Sequence, residues 1–325
     1  MKRALVTGAA GFIGSALVRR LLADGIAVLS FDALTYAGRR AWLEGLDGDH
    51  TFRHADIRDA AAVSEALDEF RPDTLFHLAA ESHVDRSISG PAAFLDTNVT
   101  GTLTLLEAVR ARGNEITFVH VSTDEVFGDL APDARPSLGS APYAPSSPYA
   151  ASKAASDHLA RAWRRTYDTP TIVTNCTNNY GPRQYPEKLI PATIARALAG
   201  QPLAIYGAGD QIRDWLHVED HANALATIGS QGALGETYLI GARAERRNID
   251  VVQQLCAILD RLRPGAKPYA NLIEHVTDRP GHDKRYALDP SHLEDALGWR
   301  PRHSFEDGLE ATVRWYLDHP EALST

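Results

Sequence analysis

The feature that most limits how this chain folds is a strand, a glycine turn and a helix in immediate succession at the start. RALVTG (residues 3–8) reads as a short buried strand. Gly8-Ala-Ala-Gly11-Phe12-Ile13-Gly14 turns the chain, and FIGSALVRRLLADG reads as a helix ending at Gly25. Small residues in such a turn let backbone N–H groups at a helix N-terminus approach a pyrophosphate. The spacing is G-x-x-G-x-x-G, not the more familiar G-x-G-x-x-G, and chance glycines are the competing explanation. The strand before and the helix after argue for the phosphate turn.

The rhythm continues. AVLSFD, TFRHADI, TLFHLAA, ITFVHVST and TIVTNC read as further strands. DAAAVSEALDEF and the runs 92–112 and 149–168 read as helices between them. This alternation predicts an α/β fold: a doubly wound, Rossmann-type parallel sheet covered on both faces. After Cys176 the rhythm breaks. NNYGPRQYPEKLIP carries three prolines and reads as a loop, followed by short strands LAIYG, ETYLIG and LIEHV and helices at 249–261 and 305–317. The expected division is a cofactor domain over 1–178, with a return segment near 214–240, and a smaller, partly interleaved α/β substrate domain over 179–325.

Composition narrows the function. The chain has 325 residues, 44% of them hydrophobic, enough for a sizeable core. A net charge of −9 argues against a nucleic-acid binder and requires local cations for any anionic substrate. Two cysteines, Cys176 and Cys256, argue against a disulfide framework or a cysteine zinc site, and no metal is expected. No apolar run approaches the ~20 residues of a membrane span. The chain enters a strand at once, leaving no room for a signal peptide, so a cytoplasmic enzyme is the expectation. Two stripes, Val99/Leu103/Leu106/Val109 and Ala155/Leu159/Ala162/Thr166 with Trp163 beside it, have two readings. One is ordinary packing on the sheet; the other is a paired-helix homodimer seam near 95–112 and 149–168.

Asp32 stands 18 residues past Gly14, at the end of the next strand. A carboxylate there accepts hydrogen bonds from a ribose 2′-OH and repels a 2′-phosphate, which predicts NAD rather than NADP. Asp56-Ile57 ends the third strand, where Asp56 either reads an adenine edge or shapes a turn. Ala79 and Ala80 are small enough to let a cofactor lie flat.

Tyr149 and Lys153 are four apart on a predicted helix, hence on one face. A loop over Leu130–Pro148, rich in Pro, Ser and Ala, delivers Tyr149 to the helix start. A free phenol of pKa ~10 is ionised about once in a thousand at neutral pH, and reaching ~7 takes about 4 kcal/mol. One ammonium ~4 Å away at an effective dielectric of ~20 supplies about that much. Tyr149 then takes a proton from a sugar hydroxyl while hydride leaves for NAD. Thr123 or Ser122 is placed to hydrogen-bond the same oxygen. The adjacent Asp124 and Glu125 are an acid and a base for removing water, provided burial and mutual repulsion raise Asp124 from ~3.9. Without Tyr149 and Lys153, a solvated Asp-Glu turn is the better reading.

With these residues in place the chain resembles the sugar-nucleotide 4,6-dehydratases of the extended short-chain dehydrogenase/reductase family. The matching segments are GAAGFIG, DALTYAG, HLAAESHVDRSI, TNVTGT, STDEVFG, YAASKAASDHL, TNCTNNYGP, PEKLIP, IYGAGDQIRDWLHVEDHA and DRPGHDKRYA, spread over nearly the whole chain. The resemblance implies that dTDP-glucose becomes dTDP-4-keto-6-deoxyglucose, hydride leaving C4 for NAD and returning to C6. It implies Tyr149 as active-site base, Asp124 as acid and Glu125 as C5 base. Ala33, Leu34, Thr35, Ser82, Thr97 and Asn179 would join the cofactor site. Ser82, Thr123, Asn178, Glu187, Lys188, Leu189, Pro202 and Ile205 would line the sugar nucleotide, with Tyr206 by the thymine. Arg213 and Asn248 would hold the pyrophosphate, and Arg279 and His282 would close the site. From the residues alone, Arg213 equally suits a surface ion pair with Asp210 or Asp214, and His83 a structural role. Arg39 and Arg40 depart from the family's asparagine after LTYAG, and an arginine near the ribose would tolerate a 2′-phosphate. The competing functions are a 4-epimerase or decarboxylase on the same scaffold, or a sensor that binds NAD without turnover. The choice of dTDP over UDP rests on resemblance.

Overall fold

The computed structural model describes residues 1–324. Among them the strands are β1 (Arg3–Thr7), β2 (Ala27–Asp32), β3 (His50–His54), β4 (Thr74–His77), β5 (Thr117–Thr123), β6 (Thr171–Cys176), β7 (Asn178–Tyr180), β8 (Leu203–Tyr206), β9 (Ile212–His217), β10 (Thr237–Ile240), β11 (Glu245–Arg247) and β12 (Ile273–Val276). The helices are α1 (Phe12–Ala23), α2 (Ala60–Phe70), α3 (Val84–Ser89), α4 (Pro91–Phe94), α5 (Gly101–Arg110), α6 (Pro148–Tyr167), α7 (Leu189–Leu198), α8 (Val218–Gln231), α9 (Asn248–Leu262), α10 (Ser291–Leu297) and α11 (Phe305–Asp318). Seven strands form one parallel sheet in the order β3-β2-β1-β4-β5-β6-β10.

Alternation along each strand serves two cores. Ala4, Val6 and Phe76 face α1 and α8, meeting Leu17, Leu21, Leu225 and Ile228. Their neighbours Leu5 and Leu75 face the other way, onto Val63, Leu67, Leu105, Leu106 and Val109 of α2 and α5. The sheet is therefore covered on both sides, which is why β2, β4 and β6 are buried at every position. A third core joins α7, β8, α9 and α11 through Ile190, Ile205, Leu255, Leu309 and Val313. The order reverses between β1 and β4: the chain builds outward to β3, then returns to the other side of β1. A crevice opens at the carboxyl ends of the strands there.

The structure departs from the sequence reading in three places. Asn178–Tyr180 is a strand, not a loop; it pairs with β9, which also takes β11, in a small sheet of order β11-β9-β7. Strands of three residues carry too little alternation to be seen in sequence. The expected helix over 92–112 is broken by a π-helical turn, Leu95–Thr100, where buried Asn98 bonds both the N–H and the carbonyl of Glu81. The first apolar stripe also divides: Leu106 and Val109 are fully buried on the sheet, while Leu103 is exposed.

In α6 the expected helix is present from Pro148. Ser147 caps it by accepting from the Ala150 N–H at 3.1 Å, and Pro148 sits at the first helical position. The cap fixes where Tyr149 begins its turn. Gly229 of α8 lies against the buried Phe76 ring, and a Cβ there would stand 2.3 Å from it. Gly229→Ala is expected to cost about 1–3 kcal/mol by overpacking, despite alanine's better helix propensity. Urea unfolding of the two proteins measures this; an equal or more stable variant would show that α8 shifts freely on the sheet.

Candidate active site

At the crevice, Gly8 has φ +67° and an added Cβ would meet the Ala79 N at 2.7 Å. A Cβ on Gly14 would stand 2.1 Å from the Gly8 carbonyl oxygen. Gly8 and Gly14 thus admit no larger residue, and Gly11 caps α1 without a side chain over its first-turn amides. That is the cradle a pyrophosphate fits. Asp32, 8% exposed, is fixed beside it: Oδ2 accepts from the Ala10 N–H (2.8 Å) and Oδ1 from the Leu34 N–H (2.7 Å). Burial pushes its pKa up, and the two amides oppose that rise. Ala33, Leu34 and Thr35 continue from it, Leu34 with φ +49°.

Ala79 and Ala80 end β4, and the half-buried Thr97 lies on the π turn. Asn179 Oδ1 is 2.9 Å from His221 Nδ1, and its Nδ2 donates to the Thr177 carbonyl. Ile57 is buried under Gly101. Asp56 shapes the turn after β3. Its carboxylate accepts from the Arg58 N–H and guanidinium, which hold it below its ordinary range. The arginines of the ribose loop are engaged elsewhere. Arg39 donates to the Glu321 and Ser324 carbonyls and lies over Trp42 and Tyr185; Arg40 lies over Phe52. The concern that they favour a 2′-phosphate loses its basis.

Asp124-Glu125-Val126-Phe127 forms a short 3-10 turn at the end of β5. Thr123, not Ser122, belongs to this group. Its hydroxyl accepts from the Glu125 N–H (3.3 Å) and donates to Asp124 Oδ1 (3.2 Å), whereas Ser122 faces Asp157 on the opposite side of the strand. Asp124 is 3% exposed and its Oδ2 has no hydrogen-bond partner. Burial and then the Glu125 charge raise its pKa to about 8, against the pull of Arg213. Burial raises Glu125 as well, but Arg213, Arg279 and Lys188 all oppose that rise. Of the two carboxyls, Asp124 is therefore the one that holds its proton more tightly.

Tyr149 overturns one expectation. Its phenol is not lowered in this structure: burial, then Glu125, Cys176 and Asp124, push it well above its ordinary value, with Thr123 opposing. The Lys153 ammonium is directed to the Val121 carbonyl at 2.9 Å. A single ammonium does not offset the burial of the phenol and the two carboxyls beside it.

On the substrate side, Lys188 donates to the Ser82 carbonyl (2.9 Å), and Glu187 receives Tyr36 OH (3.2 Å) with His83 at 3.6 Å. Leu189 opens α7 and Asn178 opens β7. Arg213 makes neither proposed surface pair. It is buried over the Tyr286 ring and donates to the Ile212 and Asp283 carbonyls. Asn248 begins α9, its N–H on the Gln211 carbonyl. At the rim, Tyr206 and Arg279 both bond Asp85, and His282 bonds Asp278 edge-on to Tyr206. Two expected residues fall outside this cluster. The Ile205 side chain packs in the third core because it alternates with Tyr206, and exposed Pro202 precedes β8, at the opposite end from Tyr206.

Sequence reasoning missed Asp85 and Asp278 at the rim, and a buried set around Asp157 comprising His120, Tyr143 and Asn175. The one available signal was Asp157 at four residues past Lys153. His217, Glu219 and His303 also converge, but the two rings stack at 4.0 Å and His217 Nδ1 accepts the Glu219 N–H, so the group reads as a helix cap.

Residues 5–312 match the family described as GDP-mannose 4,6 dehydratase. The chain is 54% identical over 325 residues to a dTDP-glucose 4,6-dehydratase of Xanthomonas campestris pv. campestris, covering 96% of this chain and 92% of that one. A crystal structure of the dTDP-glucose 4,6-dehydratase DesIV from Streptomyces venezuelae, with NAD bound, superposes with a TM-score of 0.92 at 46% identity, covering 99% of this chain and all of that one. A UDP-glucose 4-epimerase of Thermus thermophilus in complex with NAD gives a TM-score of 0.87 at 32% identity, covering 97% and 99%.

Two outcomes follow from the geometry. Asp32→Ala is expected to weaken NAD binding about tenfold or more and to narrow its advantage over NADP. Fluorescence titration with both dinucleotides tests this, and unchanged discrimination would remove Asp32 from the ribose site. Asp124 keeps its proton in the folded chain up to about 8 but loses it near its ordinary 3.8 when unfolded. Across that window the native state binds more protons, so stability falls as pH rises. Asp124→Asn removes this slope. The variant should match wild type near pH 4 and exceed it by on the order of 5 kcal/mol near pH 8 in denaturant titrations.

Proposed function

Since the chain belongs to the GDP-mannose 4,6 dehydratase family, we propose that it converts dTDP-glucose to dTDP-4-keto-6-deoxyglucose and water with tightly held NAD. The observation that carries this is the buried Asp124, its Oδ2 without a hydrogen-bond partner among the described residues, beside Glu125, with Arg213, Arg279 and Lys188 around the latter, in the cleft that also holds Tyr149. A 4-epimerase or a decarboxylase needs no such pair, because neither removes the C6 hydroxyl.

Gly8, Gly11, Phe12, Ile13, Gly14 and Asp32 would hold the cofactor, with Ala79 and Ala80 beneath it. NAD, when bound, supplies a positively charged hydride acceptor that takes hydride from C4 and returns it to C6. Tyr149 takes the proton of the C4 hydroxyl, and Thr123 hydrogen-bonds that oxygen. Tyr149 would do so as the phenolate, which the Lys153 ammonium and the positive charge of bound NAD would favour against the rise set by burial and the two carboxyls. The C4 ketone acidifies the C5 proton, which Glu125 removes. Asp124 gives its proton to the C6 hydroxyl, which departs as water. Glu125 then returns a proton to C5 as hydride arrives at C6. The proton gained by Tyr149 equals the one lost by Asp124, so the cycle closes when it passes between them. Arg213 is the forked cation for the diphosphate, Tyr206 flanks the base, and Arg279 and His282 close the rim.

Residues 1–178 with the return near 214–240 form the cofactor part, and 179–325 the sugar-nucleotide part. A second copy is the natural cover for the outward face of α5 and α6, where Leu95, Leu103 and Tyr167 are exposed. No helix among the described residues is long and apolar enough to cross a membrane, and we place the enzyme in the cytoplasm.

Incubation with dTDP-glucose should yield the 4-keto-6-deoxy product, with UDP-glucose a poorer substrate; intact NAD binding without product would favour a sensor. Tyr149→Phe should lower C4 oxidation by ~10²–10⁴-fold. Asp124→Asn should slow water loss while solvent deuterium still enters C5, and Glu125→Gln should suppress that uptake. Equal loss of both reactions in Asp124→Asn would refute the division of labour.

A further inference from the structure

Lys153 is 4% exposed, and one of its N–H donors reaches the Val121 carbonyl at 2.9 Å. An ammonium this deep stays charged only beside a counter-charge. The neighbouring ionisable groups do not supply one. The Cys176 thiol is pushed up to about 12 by burial, and Asp124 keeps its proton to about 8, so both are neutral at working pH. His120 and His77, on the adjacent strands, are held neutral by burial.

Asp157 lies one turn after Lys153 on the same face of α6 and is fully buried. Its Oδ2 accepts from Tyr143 OH (2.7 Å) and Asn175 Nδ2 (3.0 Å), and its Oδ1 lies 3.1 Å from His120 Nε2. Ser122 of β5 also faces it. Arg161, one turn further, donates to Tyr143 OH at 2.7 Å. Burial alone would neutralise this carboxyl. The His120 ring and the Lys153 ammonium outweigh burial and hold it below its ordinary range. In turn, burial lowers Lys153, and Asp157 is the foremost group opposing that.

We propose that Asp157 is a positioning residue: its carboxylate is the standing counter-charge that keeps Lys153 an ammonium, and it thereby sets the upper pH limit of sugar oxidation. The inference rests on the role given to Lys153 above. It assigns Tyr143, Asn175 and His120 the task of holding Asp157 ionised, with no contact to substrate.

The chain has five lysines, so [¹³Cε]lysine NMR resolves them, and Lys153→Met identifies the resonance. In Asp157→Asn the Lys153 titration should move to lower pH by about one unit. Single-turnover oxidation of dTDP-glucose should lose its basic limb by the same interval, with KM unchanged, and Asp157→Glu should restore part of it. An unmoved titration, or a rate lowered equally at every pH, would mean that Asp157 only braces the fold and would overturn the proposal. Should Asp157→Asn not fold, Tyr143→Phe removes one bond to the carboxylate; a smaller shift in the same direction supports the proposal and no shift overturns it. Full oxidation by Lys153→Met would instead refute the role of Lys153, whatever Asp157 does.

Discussion

A parallel sheet opens a crevice where its strand order reverses, and the site depends on how closely the backbone packs there. Gly8 after β1 rests against Ala79 after β4, and Gly14 rests against Gly8, with no room for a Cβ at either contact. The same reversal sets the carboxyl end of β5 next to that of β4. Thr123, Asp124 and Glu125 thus emerge two strands from the glycine turn, across β4, and α6 carries Tyr149 and Lys153 across the same end. The catalytic groups need no special loop architecture, because topology delivers them to one place.

Once delivered, these groups are differentiated by their neighbours. Burial raises Asp124, Glu125 and Tyr149 and lowers Lys153, so it cannot by itself assign roles. The neighbours can. Arg213, Arg279 and Lys188 come from β9, the rim and the start of α7, and all three act on Glu125. Asp124 has fewer cations and an adjacent carboxylate. The part of the chain beyond Cys176 is therefore not only a lid for the sugar nucleotide. It supplies the charges that leave two adjacent carboxyls in different protonation states.

Much of this was legible in the sequence. Gly8, Gly11, Gly14 and Asp32 are local signals: a strand, a turn, a helix and the next strand end, all within 32 residues. Tyr149 and Lys153 are four residues apart on one helix, and the Thr123–Glu125 run is contiguous. What was not legible depends on long-range contact. Tyr143, Asn175 and His120 reach Asp157 from three separate segments. The direction of the Tyr149 shift depends on how deeply the fold buries the phenol and then on two carboxyls 24 and 25 residues earlier in the chain. That the Ile205 side chain faces the third core was not legible, because a four-residue strand sends alternate side chains to opposite faces and the face is not set by so short a run. Strands β7, β9 and β11 exist through mutual pairing, which no short window of sequence contains.

The scaffold itself does not decide the reaction. A 4-epimerase superposes on it with a TM-score of 0.87, so the sheet, the glycine turn and the hydride chemistry are common ground. An enzyme that only oxidises and reduces C4 needs one proton carrier. Removing the C6 hydroxyl needs two more, one donating and one accepting within the lifetime of the ketone. A pair that were both charged would repel the leaving hydroxide, and a pair that were both neutral would leave the C5 proton in place. Adjacent residues on a tight turn bring the two groups close enough to couple, and burial makes that coupling strong. With the cations gathered on Glu125, the second ionisation is deferred to about 8 on Asp124. The chemical identity of the site thus rests less on which side chains are present than on the uneven placement of three cations around two carboxyls.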